Sequence, residues 1–210
     1  MRKGMIVQTA LMLFMLLTGC EQEPLRLDDY LVDFATRVRV ANNCRYRLDN
    51  SRLLIPQEDS NCSGPNGQRV VINYSFLQGD TIRINSVFDI FTGSIQTKGF
   101  PEQYASDPVK IQSVWTGGGY LNMIVETEYH NRPHKVALFR DPSAVTVDLW
   151  FSHSRDEDPP GYPEKMYASF SLDALRGEDN NGPISFRLFI YTLTGLRVFP
   201  FTLPESAPLQ

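Results

Sequence analysis

The stretch "RVVINYSFLQGDTIRIN", Arg69 to Asn85, decides the fold. Val70, Ile72, Tyr74 and Phe76 alternate with Val71, Asn73 and Ser75; after Gln78-Gly79-Asp80, Ile82 and Ile84 alternate with Thr81, Arg83 and Asn85. Successive side chains of a strand point to opposite faces, so a period of two on both sides of a glycine-containing turn predicts an antiparallel hairpin. Upstream, Asp33 to Val40 reads as a strand, and Tyr46 to Leu48 and Leu53 to Ile55 flank the turn Asp49-Asn50-Ser51. Downstream, Ser94 to Lys98 reads as another strand. Val32 to Lys98 is therefore expected to form a compact module of about five or six strands.

The turn-rich segment "FPEQYASDP", Phe100 to Pro108, marks a domain boundary. Beyond it the same period continues through Val109 to Trp115, Tyr120 to Tyr129, Lys135 to Phe139, Val145 to Ser152, Met166 to Leu172, Ile184 to Tyr191 and Phe199 to Leu203. Val145, Val147, Leu149 and Phe151 make one face of their strand, and Ile184, Phe186, Leu188 and Ile190 one face of theirs. Such a series of short strands separated by turns suggests an antiparallel β-sandwich. No segment after the N-terminus sustains a 3.6-residue period, although Leu27 to Phe34 could hold a helical turn. The fold class is all-β.

The N-terminus has a different character. Arg2 and Lys3 precede an apolar run, Met5 to Leu17, interrupted only by Gln8 and Thr9. That is the pattern of a secretory signal, too short to span a hydrocarbon core of about 30 Å. It ends in Leu17-Thr18-Gly19-Cys20, which resembles a bacterial lipobox, and the resemblance implies that Cys20 is acylated and becomes the first mature residue. Two acyl chains, each buried methylene contributing ~0.8 kcal/mol, would anchor the protein to a membrane without a transmembrane helix. The acidic sequel Glu21-Gln22-Glu23 reads as a solvated tether or as a surface-export signal. A dozen extended residues from Glu21 to about Val32 would reach ~40 Å. The expected organisation is a signal peptide over 1–19, an acylated N-terminus and tether over 20–32, the first module over 33–100, a linker over 101–107 and a sandwich over 108–210. The expected location is the cell envelope, on the periplasmic or surface face of the outer membrane.

Removing residues 1–19 takes away Arg2 and Lys3 and no acid, which shifts the formal net charge from −4 to −6. An acidic exported chain lacks the basic groove that nucleic acid requires, so no nucleic-acid partner is expected. With Cys20 claimed by the lipid, Cys44 and Cys62 remain, and an even pair in an exported protein suggests a disulfide. The alternative is two buried free thiols.

Chemistry-bearing motifs are few. "TGGGYLNM", Thr116 to Met123, has glycines but no Gly-Lys-Ser/Thr opening a helix, so it reads as a tight hairpin turn. His130 and His134, around Pro133, read as solvated loop histidines with no set of zinc ligands. Asp156-Glu157-Asp158 lacks the spacing of a calcium loop and reads as a solvated tip after His153. Neither a metal nor a cofactor is expected, and no nucleophile elbow frames the serines, so the chain is not expected to be an enzyme. Trp150, Tyr162 and Tyr167 are candidate recognition aromatics: presented on one face they would suit a glycan. Tyr162 stands in a proline-stiffened loop, and Trp150 lies opposite Val147, Leu149 and Phe151, where a covering strand or domain is the competing explanation.

The N-terminal pattern, "DYLVDFATRV" (Asp29 to Val38), "GQRVVINYSFL" (Gly67 to Leu77) and "VWTGGGYLNMIVET" (Val114 to Thr127) together resemble the NigD-like lipoproteins. Trp115 with Tyr120-Leu121-Asn122 is the most specific part. The resemblance implies an N-terminal OB-like barrel followed by a β-sandwich, and it names no catalytic residues. It also implies, through the bacteriocin-associated locus that gives the family its name, an immunity or accessory role. The expected function is a non-enzymatic binding or accessory module for another envelope protein or glycan, with bacteriocin immunity as the alternative.

Overall fold

The computed structural model describes residues 30–41, 43–58, 62, 64–176 and 182–205. The expected signal peptide, Cys20 and most of the tether lie outside those residues. The tether is shorter than expected, because β1 (Leu31–Val40) already includes Leu31 and Val32.

Five strands close a small barrel: β1, β2 (Asn43–Leu48), β3 (Leu53–Pro56), β4 (Arg69–Gln78) and β5 (Thr81–Asp89). Their order is β1-β2-β3-β5-β4, closed by pairing of β1 with β4. Only β3 and β5 run parallel; the other pairs are antiparallel, and this is the OB-like arrangement. The alternation in the opening stretch explains the barrel core: Val70, Ile72 and Tyr74 meet Ala35, Tyr46 and Ile82. Cys44 on β2 is bonded to Cys62, with Cα atoms 4.7 Å apart, and both lie at this core.

The second sheet contains β6 (Phe91–Gln96), β7 (Lys110–Gly117), β8 (Tyr120–Tyr129), β9 (Lys135–Arg140), β10 (Asp148–Ser154), β11 (Tyr162–Ser171), β12 (Ile184–Thr192) and β13 (Gly195–Leu203). Their order is β13-β12-β10-β9-β6-β11-β8-β7. Strand β6 joins the two layers of the sandwich: Phe91 to Ser94 pair with β11 and Ile95 to Gln96 with β9. A strand that switches sheets in this way makes a corner of the sandwich. The layers close over Leu121, Met123, Leu149, Phe151, Phe170 and Leu188.

Four expectations are corrected. The strand near Ser94 was assigned to the first module, but β6 belongs to the sandwich, and the barrel closes without it. The sandwich is not wholly antiparallel, because β6 runs parallel to β9 and β11, and β10 parallel to β12. Residues 101–107 are not a free linker: Ser106 bridges to His153, and Ala105 exchanges hydrogen bonds with Ser152 and His153. Finally, Val145 lies before β10 and is fully exposed, so the core face of that strand begins later than its alternation implied.

Candidate functional site

Barrel and sandwich meet across a buried polar network. Arg69 begins β4 on the face opposite Val70, so its side chain leaves the barrel core and enters the junction, where none of it is exposed. Its Nη2 pairs with Asp49 Oδ1 at 2.8 Å and donates to Asn122 Oδ1 at 2.9 Å. Its Nη1 donates to Thr36 Oγ1 and its Nε to Ser169 Oγ, and the guanidinium lies 4.6 Å from the centre of the Tyr120 ring. Asp49, in the β2–β3 turn, also accepts from Asn122 Nδ2 at 2.9 Å and from Trp115 Nε1 at 3.4 Å. A buried cation requires such a complete set of partners.

"TGGGYLN" is the other half of this joint. Gly118 and Gly119 take positive φ in the β7–β8 turn, as the hairpin reading expected. Gly117 has a second role: a Cβ there would stand 2.7 Å from Asp49 Oδ2. Trp115 and Asn122, on the two strands of this hairpin, are thereby placed against the barrel.

Beside the polar network lies an apolar layer of Phe34, Val71 and Ile90 packed on Trp115, Ile124 and Tyr167. The Phe34 and Trp115 rings meet edge to face, with centroids 4.8 Å apart. Two clefts flank this layer and share Val32, Val71 and Tyr167. One, of about 480 Å³, reaches Asp33, Asp49 and Trp115. The other, of about 610 Å³, is walled by Phe88, Ile90, Phe91 and Met166. Phe88 is 61 % exposed, Val32 56 % and Phe91 42 %, so the rim of the groove presents large apolar side chains to water.

The recognition aromatics do not come together. Tyr167 lines both clefts and packs against Phe34. Tyr162, five residues earlier on β11 and hence on the other face of the strand, is exposed. Trp150 is covered: it stacks on Phe189 at 4.4 Å, and Phe100 and Tyr104 close over it. The Tyr104 hydroxyl is buried without a hydrogen-bond partner among the described residues, and burial pushes its pKa up to about 12.

The loops at the far end of β8 and β10 hold a second polar cluster, and two expectations fail there. His134 is not a solvated loop residue, because its side chain is buried. Asp158 is not part of a solvated tip: it accepts from the backbone N–H groups of His130, Asn131 and Arg132 at 2.8 to 3.0 Å. Burial alone would raise the Asp158 carboxyl; those three donors and His134 outweigh it and hold it well below the usual carboxylate range. His153 is almost wholly buried, which lowers its proton affinity. Its Nδ1–H donates to the Asp107 carbonyl, and its Nε2 accepts from His134 Nδ1 at 2.9 Å. His134 Nδ1 also stands 3.1 Å from Thr127 Oγ1, and its Nε2 faces Asp158 at 3.3 Å. Gly161 permits the closure, since a Cβ there would fall on the Tyr129 carbonyl. A hydroxyl, an imidazole and a carboxylate in line resemble a nucleophilic triad, yet His134 Nδ1 carries the proton it donates to His153 and so is no base for Thr127, and all three side chains are buried. Among the described residues no group of three His, Cys, Asp or Glu side chains is placed to hold a metal ion.

Comparison with known proteins agrees with the sandwich. Residues 93–195 match the NigD-like C-terminal beta sandwich domain. The sandwich is therefore a domain of the NigD-like family. The chain's solved structural relatives extend the likeness to the barrel. A protein from Parabacteroides distasonis described as toxin-related is 26 % identical, with a TM-score of 0.74 over 84 % of this chain and 94 % of that one. A NigD-like immunity protein from Bacteroides caccae is 22 % identical, with a TM-score of 0.67 over 84 % and 97 %. A Bacteroides fragilis protein described as a lipoprotein is 9 % identical, with a TM-score of 0.62 over 86 % and 100 %. At those last two identities the likeness is one of fold. No curated protein matches the chain. Trp115 and Tyr120-Leu121-Asn122, the most specific part of the sequence resemblance, coincide with the joint between barrel and sandwich.

Proposed function

We propose that this NigD-like chain is a non-enzymatic protein of the cell envelope, anchored through lipid on Cys20, that holds another envelope protein in the groove between barrel and sandwich. The observation that carries this reading is the exposed apolar rim of Val32, Phe88 and Phe91 around the larger cleft. Contiguous exposed apolar surface is disfavoured in water and marks interaction sites. Asp33, bonded by the Tyr74 hydroxyl, brings a carboxylate to the same groove, so an apolar segment flanked by basic residues is the complementary partner. The anchor rests on the Leu17 to Cys20 pattern, and the outer membrane is the location that this anchor favours.

The test is capture from solubilised envelope. The wild-type chain is expected to retain a partner that a Phe88→Lys, Phe91→Ser variant releases while keeping its fold. A partner held equally by both, or turnover abolished by substitutions in a polar cluster, would overturn the reading. The same groove also suits immunity against a secreted antibacterial polypeptide, which the family's bacteriocin-associated name and the toxin-related description of the 26 % identical relative favour. Deleting the gene would then sensitise a producing strain, and an unchanged killing curve would remove that reading. Glycan capture loses support because Trp150 is covered and Tyr162 and Tyr167 point to opposite sides of β11.

A further inference from the structure

A third cleft, of about 540 Å³, opens at the mouth of the barrel. Arg37 lines it. This residue sits two positions after Ala35 on β1, so it follows that core residue along the inner face to the barrel's end, where 6 % of it is exposed. Its Nη2 donates to Asp89 Oδ1 at 2.5 Å, but the Asp89 side chain is half in water. Nε and Nη1 are buried and have no hydrogen-bond partner among the described residues. Arg69 at the other face of the barrel uses all three of its nitrogens. A buried charged donor left unpaired is unfavourable and uncommon in a native fold.

The surroundings of Arg37 define what would relieve it. Cys44, Tyr46, Ile82, Ile84 and Val87 give the cleft apolar walls, and its size is that of a small-molecule site. Glu58 and Arg83 at the lining carry opposite charges, so Arg37 is left as the single unbalanced cation of the wall, which suits one negative charge better than the two of phosphate. A monoanion on an apolar group satisfies both halves: a carboxylate accepts from the guanidinium and the apolar part covers the ring and aliphatic walls. We propose that the barrel mouth binds a small amphipathic carboxylate, received by the unpaired donors of Arg37 and held against Tyr46, Ile82 and Ile84. This site shares no lining residue with the groove, although Asp89, the partner of Arg37, lines the groove's larger cleft, and neither reading depends on the other.

Calorimetric titration of the full chain carrying Cys20→Ala, with sodium octanoate as probe, tests it. Octanoate is expected to bind, acetate at least tenfold more weakly for want of an apolar part, and octylamine not at all because its charge opposes that of Arg37. Arg37→Gln is expected to weaken octanoate at least tenfold. Val87→Trp, which fills the cleft and leaves Arg37 in place, is expected to do the same and decides the matter if Arg37→Gln does not fold. Failure of octanoate to bind, equal binding of octylamine, or affinity unchanged by a folded variant would overturn the proposal.

Discussion

Arg69 and Asp49 form a 2.8 Å ion pair whose cation is fully buried between the barrel and the sandwich, and each is also bonded to Asn122. Two side chains of the barrel and one of the sandwich thus share a single network, so the relative position of the domains is set by hydrogen-bond geometry as well as by the Phe34 and Trp115 contact. Removing one partner leaves the other's charge uncompensated. Asp49→Ala is expected to cost about 3–5 kcal/mol in urea unfolding, the range for breaking a buried pair. Replacing Asp49, Arg69 and Asn122 together with apolar residues of similar volume is expected to cost less than Asp49→Ala alone.

The disulfide acts on a different state of the chain. Cys44 and Cys62 are 18 residues apart, and closing a loop of that length lowers the entropy of the unfolded chain. In the chain-entropy model the gain is roughly 3 kcal/mol, so the Cys44→Ser, Cys62→Ser double variant is expected to unfold at correspondingly lower denaturant. Because Cys44 and Cys62 also belong to the barrel core, a loss confined to barrel probes such as Tyr46 fluorescence would show that the barrel opens before the sandwich.

Legibility divided along the range of the forces involved. The β4–β5 hairpin and the strands from β7 onward were readable because alternation and turn chemistry are local. Phe88 was not. Strict alternation from Ile82 and Ile84 would turn it into the barrel, but the pairing shifts between Asn73 and Tyr74, so that Tyr74 faces Ile84 while Asn73 faces Ser86. The extra residue, Asn85, reverses the parity: Val87 packs on the barrel core and Phe88 emerges at the groove. His134 and Asp158 were misread for another reason. Their burial depends on two loops 24 residues apart folding onto each other, and no local pattern records that. The polar Asn122 within the apolar run Leu121 to Val125 was a signal for the joint, since a buried amide needs partners.

The loop cluster makes stability depend on pH in a defined direction. His153 has its proton affinity lowered by burial, so it is neutral in the fold. Above its ordinary value of 6.5 both folded and unfolded chains carry it neutral and its contribution is complete; below 6.5 the unfolded chain takes the proton first and stability falls. Asp158, held low, adds a second loss that sets in as pH falls below the ordinary 3.8. Urea midpoints measured from pH 8 to pH 3 are expected to show the first step and the onset of the second. His153→Gln is expected to flatten the first and leave the second, and a first step that survives this substitution would assign it to another group.

Cys20 carries the last expectation, and its chemistry can be separated from every property of the folded domains. If Leu17-Thr18-Gly19-Cys20 directs acylation, an alkyne-bearing fatty acid fed to the cells will label the protein, and Cys20→Ala will abolish the label and move the chain to the soluble fraction. Cys44→Ser and Cys62→Ser will leave the label intact, since those thiols are bonded to each other. Two acyl chains at ~0.8 kcal/mol per buried methylene hold a protein durably, whereas one chain is only marginal. Salt extraction therefore distinguishes the anchor from ionic adsorption: a chain held by charge would be released, and an acylated chain would stay with the membrane until detergent is added.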